Sequence, residues 1–230
     1  KTEMGPLRHV SDYETFEAYQ EMGRSKFNLL IKEEGRLCAE HLEQALGIPH
    51  YFAPVAFRLP GIRENYEIIE RSLGVVLDTD EYEQAASCQL AEARRRYAGS
   101  TAAVGAGAHS FEIARLLFET GVAVPYIFAD AVTTREMEHY EWIRMNHPEA
   151  IIMPPTAPEM SDIRESALSV SFCVGYSAGY YCNGDVTVPL HAEIEYYGYL
   201  GLVRFLQAID YAFENPEPID SLTKKQVFII

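Results

Sequence analysis

Cationic side chains are scarce: 19 Lys and Arg stand against 34 Asp and Glu in 230 residues, for a formal net charge of -15. That balance argues against nucleic acid and anionic membrane as partners, because both are bound through basic surfaces. The one basic run, Arg94-Arg95-Arg96, reads as a helix C-terminus favoured by the macrodipole. No apolar run reaches the ~20 residues of a membrane span, and no charged-then-apolar signal segment opens the chain, so a cytoplasmic protein is expected. Cysteine is limited to four positions, 38, 88, 173 and 182, with no CxxC pair. Neither a zinc ribbon nor a disulfide framework is signalled. Cys38 and Cys88 fall in helical patterns and Cys173 in an apolar strand, which predicts three buried thiols; Cys182, among polar and aromatic residues, reads equally as accessible or buried. Trp142, the single tryptophan, is expected in the core.

What is present is apolar and patterned. Hydrophobic residues make up 48% of the chain, enough for one large or two small α/β domains. Lys1 rather than Met opens the sequence, which implies a piece of a longer chain or a processed one. Residues 1–22 read as a surface extension with a short helix from Ser11-Asp12. Strands are expected at 27–31, 50–57, 101–104, 122–129, 150–153, 168–174 and 186–190, with helices from about 36 to 46, 60 to 73, 80 to 97, 110 to 120, 134 to 145, 159 to 167 and 198 to 213. Pro54 marks the second strand as an edge or a strand end. Strands alternating with helices imply parallel sheets with right-handed crossovers. The expected fold class is therefore α/β, with two Rossmann-like (flavodoxin-like) α/β/α domains at 23–97 and 98–230.

The most informative stretch is Thr101-Ala-Ala-Val-Gly-Ala-Gly-Ala-His-Ser-Phe111, an apolar strand, a glycine turn and a helix start. Gly105 and Gly107 permit backbone angles and approaches that a Cβ forbids, and Ser110 is a natural N-cap. A helix start beyond a strand end is where backbone N–H groups meet negative charge. The glycine spacing lacks a third dinucleotide-type glycine, and Asp130 is the nearest acidic residue for ribose reading, so a plain tight turn accounts for the pattern as well. Gly175, Tyr176, Ser177 and Gly179 form a second small-residue turn after a strand. Glu33 and Glu34 follow the first strand, where they either meet a cation or simply suit a helix N-terminus. His191, Glu193 and Glu195 alternate and would share one strand face, a spacing for a metal or for an exposed edge. Tyr176, Tyr180, Tyr181, Tyr196, Tyr197 and Tyr199 suit either a flat aromatic pocket or a subunit interface. His41 and His139 read as surface or packing residues.

The order of these pieces resembles the nitrogenase component 1 family. Phe27-Asn28-Leu29-Leu30-Ile31 leads to a helix ending Leu46-Gly47-Ile48-Pro49 and then to Val104-Gly105-Ala106-Gly107. Val188-Pro189-Leu190-His191, Tyr197-Gly198-Tyr199-Leu200-Gly201 and a last helix ending Glu214-Asn215-Pro216 are similar to the family's carboxyl-terminal part. The resemblance covers residues 23–216 and implies the second and third of three Rossmann-like domains. It further implies an oxidoreductase subunit paired with a homologous subunit or itself, taking electrons from an ATP-dependent iron-sulfur reductase to reduce a substrate or mature a metallocofactor.

An iron-sulfur cluster or other metallocofactor is implied, with ligands outside this chain or in a partner, and His109 falls where the family faces its cofactor. Where the family's cofactor cysteine would stand, this chain reads Lys32-Glu33-Glu34, and His191 lies near the family's histidine ligand. The loops at 32–35, 105–110, 175–179 and 191–195 are expected to line a cleft. Two further readings stand beside this one: a non-catalytic two-lobed receptor for a small metallocofactor or ligand, and a structural pseudo-subunit.

Overall fold

The computed structural model describes residues 14–163, 168–190 and 193–226. The chain forms two compact units, one of Lys1–Val55 with Pro60–Thr79, the other of Ala56–Leu59 with Asp80–Ile230.

In the smaller unit, α1 (Phe16–Gln20) runs into a 3-10 turn at Glu21–Arg24. The proposed cap at Ser11 and Asp12 lies outside the described residues. β1 (Asn28–Leu30) and β2 (His50–Phe52) pair in parallel, joined through α2 (Arg36–Leu46). Gly47 ends α2 at φ 69°, a left-handed angle at which a side chain would strain the turn, and its N–H bonds to Glu43 O. β2 is shorter than the expected strand at 50–57. Pro54 supplies no N–H to a ladder, and its carbonyl is taken by Asn65 Nδ2 of α3 (Leu59–Leu73) at 2.5 Å. Ala53, Val55 and Ile62 are fully buried in this unit.

In the larger unit, the described residues form a parallel sheet in the order β5-β4-β3-β6-β7. The strands are β3 (Thr101–Val104), β4 (Ala123–Phe128), β5 (Ile151–Met153), β6 (Phe172–Val174) and β7 (Thr187–Val188). β3 is central and covered on both faces, so Ala102, Ala103 and Val104 form a continuous apolar run rather than an alternation. The helices are α4 (Asp80–Tyr97), α5 (Ser110–Glu119), α6 (Met137–Asn146), α7 (Tyr176–Cys182), α8 (Gly198–Glu214) and α9 (Ile219–Gln226). α4 lies along α8: Tyr199 Oη donates to Glu83 at 2.6 Å, Tyr97 donates to Asp210, and Arg96 pairs with Asp210 at 2.8 Å. The basic end of α4 is thus partly held by a carboxylate of α8.

Both units are α/β with parallel pairing, the architecture expected from the alternation. Several local expectations change. The turn expected at 175–179 is mostly helix, because only Gly175 takes a left-handed φ, 85°, before α7 begins. The helix expected at 159–167 is a 3-10 turn at Pro158–Asp162, with 164–167 outside the described residues. Cys38 and Cys88 are exposed, lying on outward faces of α2 and α4, whereas Cys182 is buried with Cys173. Trp142 is only half-buried, with the Arg115 guanidinium 4.9 Å from its ring centre. Among the described residues no helix is long and apolar enough to cross a membrane.

Candidate functional site

The strand order places a topological switch between β3 and β6, since the chain proceeds from β3 to β4 and β5 on one side and from β6 to β7 on the other. Ligands of open α/β sheets gather outside the carboxyl ends at such a point. Both strands end in glycine here, and the two turns close on one another. Gly105 N donates to Val174 O at 2.7 Å. A Cβ on Gly105 would stand 2.7 Å from Ala178 N, and one on Gly175 would stand 2.1 Å from Gly105 O. These glycines therefore permit turn-against-turn contact. Gly107 differs, with φ 59° and open space around its missing Cβ. Ser110 does not cap α5. It is the helix's first residue, its Oγ accepts from Ala106 N at 3.0 Å, and its proton is shared between Gly107 O at 2.9 Å and Phe128 O at 3.2 Å.

The first N–H groups of α5 are met from elsewhere. Glu136, at the start of α6 and 2% exposed, accepts from Phe111 N at 2.6 Å and from Glu112 N at 3.1 Å. A carboxylate across a helix N-terminus gains from both hydrogen bonding and the dipole. Burial nevertheless pushes the Glu136 carboxyl up to about 7, its two N–H partners and Arg135 pulling the other way. Glu112, 3% exposed, accepts from Phe57 N at 2.9 Å and Arg58 N at 3.3 Å, tying the 56–59 segment to α5. Its second oxygen lies 3.6 Å from the Arg135 guanidinium and 3.9 Å from His109 Nδ1.

Around this pair runs a ring of charge. Arg58 holds Glu119 through two contacts at 3.0 and 2.6 Å. Arg115 reaches Glu119 at 3.1 Å, Glu138 at 2.9 Å and His139 Nδ1 at 3.3 Å. The hydrogen bond from Arg115 pulls the Glu138 carboxyl down, and burial pushes His139 down. Ligand atoms of Glu112, Glu136 and His139 lie within 4.8 Å of one another, a donor set suited in type to a divalent cation. The carboxylates already accept four main-chain N–H bonds, the Arg135 guanidinium lies 3.6 Å from Glu112, and Arg115 lies 3.3 Å from His139 Nδ1. The geometry is that of an internal staple joining α5, α6 and the 56–59 segment.

The structure brings Gly105, Gly107, His109, Ser110, Gly175, Tyr176 and Ser177 to one end of the larger sheet. His109 is turned inward, its ring edge-on to Phe57 at 5.2 Å. Tyr176 is half-buried, and burial pushes its hydroxyl up, Tyr196 adding to the effect. Glu33 and Glu34 belong to the smaller unit, exposed on a 3-10 turn, with Glu33 2.9 Å from Arg36. Glu193 begins the 3-10 turn Glu193–Tyr196, and His191 lies outside the described residues.

The tyrosines divide their roles. Tyr199 is buried toward α4, Tyr181 stacks on Phe128 at 5.3 Å and donates to Pro155 O, and Tyr196 lies 5.9 Å from Phe57. Asp130 accepts from Thr156 N at 3.2 Å and from the Thr156 hydroxyl at 2.5 Å, on the edge of a groove of about 610 Å³ that also involves Tyr140 and Arg144. Sequence reasoning missed Glu112, Glu136 and the setting of His139, whose only local signal is two acids and a histidine in helical segments.

Against known proteins, the family model described as nitrogenase component 1 type oxidoreductase matches residues 3–214. No curated protein matches the chain. Among solved structures, nitrogenase Cp1 at pH 6.5 is similar with a TM-score of 0.60 and 13% identity, covering 83% of this chain and 46% of that one. Nitrogenase Cp1 at pH 5 gives 0.53 and 14%, covering 87% and 49%. The chain thus spans about half the length of those solved chains, and at such identity the likeness is one of fold.

Proposed function

The chain belongs to the nitrogenase component 1 type oxidoreductase family, and from that premise we propose that it is a component 1-type subunit, or part of one. In this reading it reduces a substrate or matures a metallocofactor, in the cytoplasm, with electrons from an ATP-dependent iron-sulfur reductase. The observation that carries the reading is the switch between β3 and β6, where two glycine turns and the start of α5 meet at the carboxyl end of the sheet. We assign that end the role of the face that meets a cofactor or a cofactor-bearing partner.

An iron-sulfur cluster asks for thiolates. Among the described residues the thiols are elsewhere: Cys38 and Cys88 are exposed on α2 and α4, and Cys173 and Cys182 are in the core with Ala103, Phe128 and Met160. The residues at the glycine turns do not fit as ligands of a thiolate-held cluster. Cluster ligands are accordingly assigned outside this chain or to a homologous partner subunit, and the turns to shape and contact. His191 and Glu193 enter the proposal as non-thiol metal ligands, and Glu33 and Glu34 as acidic groups that meet a cation or pass a proton. The same thiol-free turns support a second reading, a non-catalytic receptor for a small metallocofactor.

The test is anaerobic purification of the chain, alone and with its homologous partner subunit, followed by iron, nickel and molybdenum analysis, a visible spectrum and addition of the reductase with MgATP. Iron and cluster absorption found only with the partner, and bleached or restored on ATP-driven reduction, support the subunit reading. Saturable uptake of an isolated metallocofactor with no response to the reductase supports the receptor. A metal-free chain that takes up neither cofactor nor reductase overturns both. Loss of metal in His191→Ala but not in Glu33→Ala separates the assigned ligands.

A further inference from the structure

Cys173 sits on β6 and Cys182 at the last turn of α7, with the Gly175 turn between them in sequence. Both belong to one buried cluster with Ala103, Phe128 and Ala178, Cys173 pairs with Thr187 of β7 in the sheet, and the two thiols interact. Gly184 completes the wall, since a Cβ there would stand 2.8 Å from Cys173 Sγ. Cys173 is wholly enclosed, whereas Cys182 keeps 8% exposure. Cys38 and Cys88, by contrast, are exposed on different elements.

We propose that Cys173 and Cys182 form a peroxide-responsive dithiol, a modification site that closes to a disulfide and clamps α7 to β6 beside the Gly175 turn. This stands independently of the functional reading above. Cys182, 8% exposed where Cys173 is wholly enclosed, is the attacking group; the hydrogen bond from Cys173 draws its thiol down, and the same bond with burial pushes Cys173 up. The Cys182 thiolate attacks one peroxide oxygen: an S–O bond forms, the O–O bond breaks, and hydroxide leaves with the thiol proton as water. Cys173 then attacks the sulfenic sulfur: the S–S bond forms, the S–O bond breaks, and a second hydroxide leaves with the Cys173 proton as water. Two thiols lose two electrons and hydrogen peroxide gains them. A dithiol reductant reverses the closure.

The experiment treats the wild-type chain, and a Cys38→Ser/Cys88→Ser variant, with equimolar hydrogen peroxide. N-ethylmaleimide is then added in denaturant, and intact mass and peptide mapping are read. The expected result is loss of two hydrogens, a linked Cys173–Cys182 peptide in both proteins, and return of both labels after dithiothreitol. In Cys182→Ser, Cys173 stays fully labelled. Full labelling of both cysteines after peroxide, or sulfenic or sulfinic acid on Cys182 with Cys173 still free, overturns the proposal. Because wild type alone gives the decisive peptide, failure of a variant to fold does not spare it.

Discussion

Two devices hold the joint between β3 and α5, and they differ in kind. The glycine turns work by absence: no side chain at Gly105 or Gly175, so that two backbones meet. The Glu112–Glu136 staple works by presence, placing two buried carboxylates where main-chain N–H groups and guanidinium ions need them. Steric permission is all-or-none. Electrostatic bracing is graded and depends on pH.

The largest effect expected from breaking either device is at Gly175. An alanine there meets Gly105 O and also takes a φ of 85°, so Gly175→Ala should lose roughly 4 kcal/mol or more and fail to give soluble protein or a cooperative urea transition. A normal transition midpoint would show that the turns give way.

Next comes Glu112→Ala, which removes the acceptor of Phe57 N and Arg58 N and the carboxylate 3.6 Å from Arg135, and should lose roughly 3 kcal/mol by denaturant unfolding. Glu112→Gln, keeping an acceptor oxygen, should lose about half as much.

Glu136 sharpens the contrast through pH. Its carboxyl binds a proton up to about 7 in the folded chain, against an ordinary value of 4.5. The folded state therefore holds more protons than the unfolded one in that window. The stability it contributes is fully present below the ordinary value and is lost as pH rises through about 7, on the order of 3 kcal/mol in all. His139, pushed down by burial, gives the opposite slope, so the quantity to measure is the difference between wild type and Glu136→Gln across pH 4.5 to 7.5. That difference should shrink with rising pH; a flat one would contradict the assignment.

Gly107→Ala is expected to have the smallest effect, about 1 kcal/mol, because a left-handed φ of 59° is unfavourable for alanine while nothing lies near its Cβ. A loss equal to that of Gly175→Ala would mean that dihedral strain, not close approach, governs the turns.

The contrast also explains what was legible in the sequence. The alternation of strands and helices, the glycine turns and the helix end at Gly121 are local patterns, written in neighbouring residues, and the sheet follows them. Glu112 and Glu136 are 24 residues apart and act on the backbone of Phe57, 55 residues from Glu112, so no short-range pattern marks them. Ser110 misled for a related reason: serine before a helix signals a cap, yet here the capping oxygens come from Glu136 and leave Ser110 to brace the turn. Cys38 and Cys88 were misplaced because a small apolar residue in a helix does not disclose which face is covered.

The carboxyl end of the larger sheet is the proposed working face. The measurement is hydrogen–deuterium exchange on the chain alone and after anaerobic mixing with the proposed homologous partner and reductase. Slowed exchange at residues 105–111 and 175–182 is expected in the mixture. Unchanged exchange at both turns, with protection confined to the opposite end of the sheet, would contradict it.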